Sequence, residues 1–132
     1  MHERIIQSAI ITYLRRVLPD ALVHHSPNEG VRGGKSGLID GQRKKAAGQV
    51  AGWPDIEVFL PSDAGPVFFE VKTATGKTSP AQDATLARLQ SLGYRVSVVQ
   101  SVDDCRRCLY EWGIPTRESG SLVRIELRGV VS

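Results

Sequence analysis

Apolar residues recur at helical spacing at the start of the chain: Ile6, Ile10, Tyr13, Leu14 and Val17 fall on one stripe, and Pro19 ends the run. The pattern predicts an amphipathic helix over residues 3–18. At about 100° per residue, Glu3 projects within about 20° of Ile10 and Leu14, so this acid points to the core edge rather than away from it. Residues 21–25 (Ala-Leu-Val-His-His) predict a short strand. From Ser26 to Gly37 the periodicity dissolves into a stretch with four glycines and a proline, which predicts a loop, and a short basic helix over about 39–47 follows.

Gly52-Trp53-Pro54 breaks the chain, after which residues 55–60 alternate as a strand does. Residues 61–66 form a turn, so Val67 to Lys72 returns as the second arm of an antiparallel hairpin. Ser79-Pro80-Ala81-Gln82 is a helix start, with Ser at the N-cap, Pro in the first turn and Gln placed for a capping box. The helix runs to Gly93, its apolar face being Ala81, Thr85, Leu89 and Leu92 with Leu86 beside it. Arg95 to Gln100 predicts another strand, buried enough to carry three valines, and a strand reached through a crossover helix pairs in parallel. Ser101 to Asp104 caps a last helix through Trp112, stopped by Gly113 and Pro115. Within 116–132, residues 122–127 alternate like an edge strand, and a loose tail is the alternative.

This is an α/β pattern for a single domain over 1–115 with a C-terminal extension, 116–132. A length of 132 residues suits one compact domain. The composition, 41% hydrophobic and 23% charged, is that of an ordinary globular chain. No apolar run approaches the ~20 residues of a membrane helix, and the N-terminus enters a periodic pattern instead of a signal-peptide core. A cytoplasmic location, in a bacterium or a phage-infected cell, is the expectation.

The net charge of +3 is concentrated: Arg32, Lys35, Arg43, Lys44 and Lys45 face only Glu29 and Asp40 within residues 26–50, and the remaining charges balance. One basic, glycine-rich stretch points to a polyanionic partner. Two tempting motifs fail. Gly33-Gly34-Lys35-Ser36 lacks the earlier glycine of a phosphate loop, since position 29 is Glu. Cys105 and Cys108 fall mid-helix on the face of Val102, Leu109 and Trp112, and a zinc site would need two more ligands. They read as half-buried packing residues. His24 and His25 read as ordinary strand-end histidines, and Glu57 as a solvated or ion-paired acid.

The chemistry lies on the hairpin. Asp55 opens one arm directly after Pro54, and Glu70 and Lys72, two residues apart on the other, share a face. Phe68, Phe69 and Val71 surround them, so the charges are costly unless they pair or bind something. A divalent cation held by Asp55 and Glu70 satisfies the cluster, and hard oxygen ligands suit Mg²⁺ or Mn²⁺. Such an ion can acidify water and polarise a phosphodiester, with Lys72 orienting the water or stabilising the transition state.

Pro54-Asp55 followed by Glu70-Val71-Lys72 resembles the signature of the PD-(D/E)xK nuclease superfamily. The longer string Gly52-Trp-Pro-Asp55, Phe69-Glu-Val-Lys72, Gly76-Lys-Thr-Ser79-Pro-Ala-Gln82 is similar to its VRR-NUC branch, the virus-type replication-repair nucleases. The resemblance implies a restriction-endonuclease-like core, αβββαβ, with a central mixed sheet flanked by helices. It implies a metal-dependent, structure-selective DNA endonuclease of the Holliday-junction-resolvase type, acting as a homodimer on branched DNA. Asp55, Glu70 and the Val71 carbonyl would be metal ligands, Lys72 the catalytic lysine, Gln82 the helix glutamine near the site and Glu3 the N-terminal helix acid. Gln82 reads equally well as a capping residue. Arg32, Lys35, Arg43, Lys44 and Lys45 would hold the DNA backbone without reading bases. The rival readings are a DNA-binding module with an idle site, and a nuclease directed at flaps or RNA.

Overall fold

The computed structural model describes residues 2–27 and 48–118. The loop and basic helix expected between them, with all five proposed DNA-contacting residues, lie outside the described residues, as does the alternating run 122–127. Among the described residues no helix is long and apolar enough to cross a membrane.

The elements are α1 (Glu3–Val17), β1 (Leu22–His25), β2 (Ile56–Phe59), β3 (Pro66–Val71), α2 (Pro80–Ser91), β4 (Arg95–Val99) and α3 (Val102–Glu111). This is the expected αβββαβ order followed by the last helix. The strands form one mixed sheet in the order β1-β2-β3-β4. β1–β2 and β2–β3 are antiparallel, and β3–β4, joined through the α2 crossover, is parallel.

β3 explains the layering. Its alternate residues Val67, Phe69 and Val71 enter one core with Ile10, Leu14 and Val17 of α1, Ile56 and Val58 of β2, and Cys105 and Leu109 of α3. Phe68 faces the other way, into a smaller cluster with Leu86 and Leu89 of α2 and Val96 of β4. Both faces of β3 are therefore covered, which is why this strand reads as a nearly continuous apolar run.

Four details depart from the sequence reading. The strand expected from residue 55 starts at Ile56 and ends at Phe59, leaving Asp55 and Leu60 outside it. The hairpin turn contains a short 3-10 segment, Ser62–Ala64, completed by Gly65 at a φ of 74°. The buried side of α2 is Leu86 and Leu89; Ala81 and Leu92 are exposed, and Thr85 spends its hydroxyl on the carbonyl of Ala51. Of the three valines in β4, Val98 is 42% exposed. The apolar side chains of α2 reach Phe68 and Val96, whereas its first turn meets Glu70 through Gln82, and Val98, the register partner of Glu70, is left exposed.

The chain past α3 is docked as far as it is described. The Arg117 amide donates to the Val17 carbonyl at 2.7 Å, and the Tyr13 hydroxyl donates to Glu118 Oε1 at 2.6 Å. Arg106 donates to the same carboxylate at 3.3 Å, with its guanidinium over the Tyr13 ring.

Candidate active site

Asp55 sits one residue before β2, after a buried proline. Its Oδ2 accepts a hydrogen bond from the Val71 amide at 2.8 Å, and its backbone carbonyl accepts from the Ser26 amide at 2.8 Å. The first contact bridges β2 and β3 beyond the last paired residues, Ile56 and Phe69. It brings the aspartate to the place where β3 delivers Glu70.

Glu70 is 1% exposed. Lys72 follows β3 directly; its amide donates to the Val99 carbonyl at 3.0 Å, and its Nζ lies 3.5 Å from Glu70 Oε2 and 3.8 Å from Glu3 Oε2. The shared face expected for Glu70 and Lys72 is therefore realised as an ion pair. Glu3, half-exposed at the start of α1, closes the far side of the lysine, in keeping with its place on the inward edge of that helix.

Gln82 does both things the sequence allowed. Its Oε1 accepts from the Ser79 amide at 2.8 Å while its own amide donates to Ser79 Oγ at 3.1 Å, completing the capping box. Its Nε2 donates to Glu70 Oε2 at 2.8 Å. The carbonyl end of one side chain caps α2 and its NH₂ end holds the buried acid.

Glu70 Oε2 is thus served by Gln82 and Lys72, whereas Oε1 is buried with no hydrogen-bond partner. Burial, the neighbouring Asp55 charge and a hydrogen bond shared with the Asp55 carboxyl push the Glu70 carboxyl up to about 8, against the opposing pull of Lys72. A buried carboxylate oxygen without a donor is expensive, and a second carboxylate beside it adds repulsion. A cation removes both costs. The Val71 amide points at Asp55, and in an extended strand the carbonyl of the same residue points to the same side. Two carboxylates and one carbonyl are hard oxygen donors that fit Mg²⁺ or Mn²⁺ with waters completing the shell. Among the described residues no three His, Cys, Asp or Glu side chains group closely enough to hold an ion by themselves.

Glu57, read from sequence as solvated or ion-paired, is held by three donors. His24 Nδ1 lies 2.7 Å from Oε1, Ser26 Oγ donates to Oε1 at 3.4 Å, and Trp53 Nε1 donates to Oε2 at 3.1 Å. These contacts were not legible from the chain, although Trp53 beside Pro54-Asp55 was a signal that the turn carries a specific side chain. The two cysteines behave as packing residues: Cys105 is buried in the core, Cys108 is partly buried, and burial pushes both thiols up. A cavity of about 630 Å³, lined by Leu18, Leu60, Trp112 and Ile114, contains none of the site's acids.

Comparison with known proteins places the fold in a family. The profile of the VRR-NUC domain matches residues 4–103. A solved structure described as a VRR_NUC domain protein superposes with a TM-score of 0.66 at 22% identity, over 85% of this chain and 88% of that one. Another, described as a VRR_NUC domain, gives a TM-score of 0.55 at 26% identity over 83% and 94%. No curated protein matches. The matched stretch, 100 of the 132 residues, holds Asp55, Glu70, Lys72 and Gln82 and begins one residue after Glu3: the chain belongs to the VRR-NUC family and carries its nuclease fold.

Proposed function

We propose that this chain is a divalent-metal-dependent endonuclease that hydrolyses phosphodiester bonds in branched DNA, in the manner of a Holliday-junction resolvase. The observation that carries the reading is Glu70 Oε1, a buried carboxylate oxygen with no donor, beside Asp55 and Lys72. Asp55, Glu70 and the Val71 carbonyl would hold Mg²⁺ or Mn²⁺. Bound there, the ion would acidify a water and offset charge on the phosphodiester oxygens.

The protein's own groups have separable tasks. The Val71 amide fixes the Asp55 carboxylate, and Gln82 Nε2 holds Glu70 by one oxygen so that the other stays available. Lys72, with its side chain 12% exposed, places a positive charge next to Glu70, where it orients the attacking water or stabilises the charge that builds on phosphorus-bound oxygens. Glu3 steadies that ammonium from the solvent side. Arg32, Lys35, Arg43, Lys44 and Lys45 would grip phosphates along the duplex arms. Two copies of the chain would match the two-fold symmetry of a four-way junction.

The test is cleavage of end-labelled four-way junction, flap, duplex and RNA substrates in Mg²⁺, Mn²⁺ or EDTA. Junction cleavage that needs the metal and disappears in Lys72→Ala, with junction binding retained, is the expected result. Cutting that persists in EDTA or in Lys72→Ala would sink the mechanism. Binding without any cleavage would identify an idle fold, and preference for flaps or RNA would reassign the substrate.

A further inference from the structure

The turn that presents Asp55 is fastened at both ends by contacts the reaction itself does not use. At its start, the Ala51 carbonyl accepts a 2.6 Å hydrogen bond from Thr85 of α2. Gly52, at a φ of 74°, lies so close to the first turn of α2 that an added Cβ would overlap the Ala81 carbonyl and stand 2.6 Å from the Gln82 amide nitrogen. Such a distance is far inside van der Waals contact, and the positive φ independently favours glycine. The residue touching Gln82 from one side is therefore three positions from Asp55, while Gln82 itself holds Glu70.

At its other end the turn is tied through Glu57. Trp53 Nε1 reaches forward to Glu57 Oε2, and His24 and Ser26 at the end of β1 reach across to Oε1. The Ser26 amide also holds the Asp55 carbonyl. The Trp53 ring stands edge-on to Phe68, two residues before Glu70 on the same face of β3, with centroids 5.7 Å apart. One bracket, residues 51–57, thus touches α2, β1 and β3, carries Asp55 and abuts the Gln82 that holds Glu70.

We propose that Gly52 and Glu57 are positioning residues which, through this bracket, set the spacing between the Asp55 and Glu70 carboxylates and hence the affinity for the divalent ion. The inference rests on the reading of Asp55 and Glu70 as metal ligands. Residues that orient ligands from behind typically change metal affinity by about 10–100-fold when altered.

Titration of Mn²⁺ into the full-length protein by calorimetry tests this, alongside the melting temperature of each metal-free variant. Glu57→Gln leaves one acceptor for three donors, and Trp53→Phe removes only the indole N–H. Gly52→Ala adds the forbidden Cβ but also strains the backbone, so Thr85→Val reads the α2 anchor without that strain. The expected result is Mn²⁺ binding weakened about tenfold or more in Glu57→Gln, Trp53→Phe and Thr85→Val, with cleavage restored by raised Mn²⁺. A structural role alone would lower the melting temperature without that metal rescue. Wild-type affinity in the three variants, with wild-type binding intact, would overturn the positioning role and leave the nuclease reading standing. Weakening explained fully by the unfolded fraction would also overturn it. Absence of Mn²⁺ binding in the wild type, with Glu70→Gln as the matched control, would overturn the metal site and this inference together.

Discussion

Removing the charge of Glu70 is expected to stabilise the metal-free protein while destroying its response to metal. The native carboxyl is pushed from its ordinary 4.5 up to about 8, first by burial and then by Asp55. Between those values the native chain holds a proton that the unfolded chain has lost, so the free energy of unfolding falls as pH rises from 4.5 to 8 and then levels off. At about 1.4 kcal/mol per unit the ceiling of this loss is about 4–5 kcal/mol. Local relaxation and water entry reduce the realised cost of a buried charge, so the loss is a few kcal/mol at most. Glu70→Gln keeps an acceptor for Gln82 Nε2 and puts an N–H on a group that now has an oxygen without a donor. In EDTA at pH 8 the variant is expected to melt roughly 6–12 °C above the wild type, at a few degrees per kcal/mol for a domain of this size. At pH 5, where Glu70 in the folded wild type is protonated, the gap should narrow sharply. Mn²⁺ at a hundredfold its Kd should add about 2.7 kcal/mol to the wild type and nothing to the variant. The assay is differential scanning calorimetry at both pH values with and without the ion. A variant no more stable than wild type at pH 8 in EDTA, or a gap that does not depend on pH, would refute the reasoning.

Other substitutions read the remaining supports. Lys72→Ala should leave junction binding within a fewfold of wild type in a gel-shift assay while single-turnover cleavage becomes undetectable. Gln82→Ala removes the capping box and the Glu70 contact together and should cost about 1–2 kcal/mol in urea unfolding, where Gln82→Glu should weaken Mn²⁺ binding because it exchanges the NH₂ donor facing Glu70 for an acid. Phe69→Ala empties a fully buried position stacked on Trp112 at 5.5 Å and should cost about 3–5 kcal/mol by chemical denaturation.

The fold was largely legible because its elements announce themselves locally. The α1 stripe of Ile6, Ile10, Leu14 and Val17 is buried as its period requires, and Ser79-Pro80-Ala81-Gln82 forms the capping box its residue types specify. What failed were judgments that need tertiary information. Leu92 and Ala81 lie on a plausible apolar face of α2, yet the helix sits rotated so that Leu86 and Leu89 meet Phe68 and Val96. Val98 follows from the same cause, since only the position of α2 over the sheet decides which β4 residues it covers.

The site divides along the same physical line. That Asp55, Glu70 and Lys72 come together was legible because alternation puts Glu70 and Lys72 on one face, and the hairpin returns them beside the residue that opens its first arm. The Glu57 network was not, because His24 and Ser26 reach it from 33 and 31 residues away, through the register His24↔Glu57 that no local pattern specifies. Gln82 is the instructive case between them. Its capping role is a local fact and its bond to Glu70 a tertiary one, and the two coexist because an amide has two functional ends. Because the capping carbonyl is anchored to Ser79, the NH₂ group is aimed before any substrate arrives. The helix start is thereby part of the site: weakening the Ser79 cap should loosen Glu70 even though Ser79 touches none of the acids.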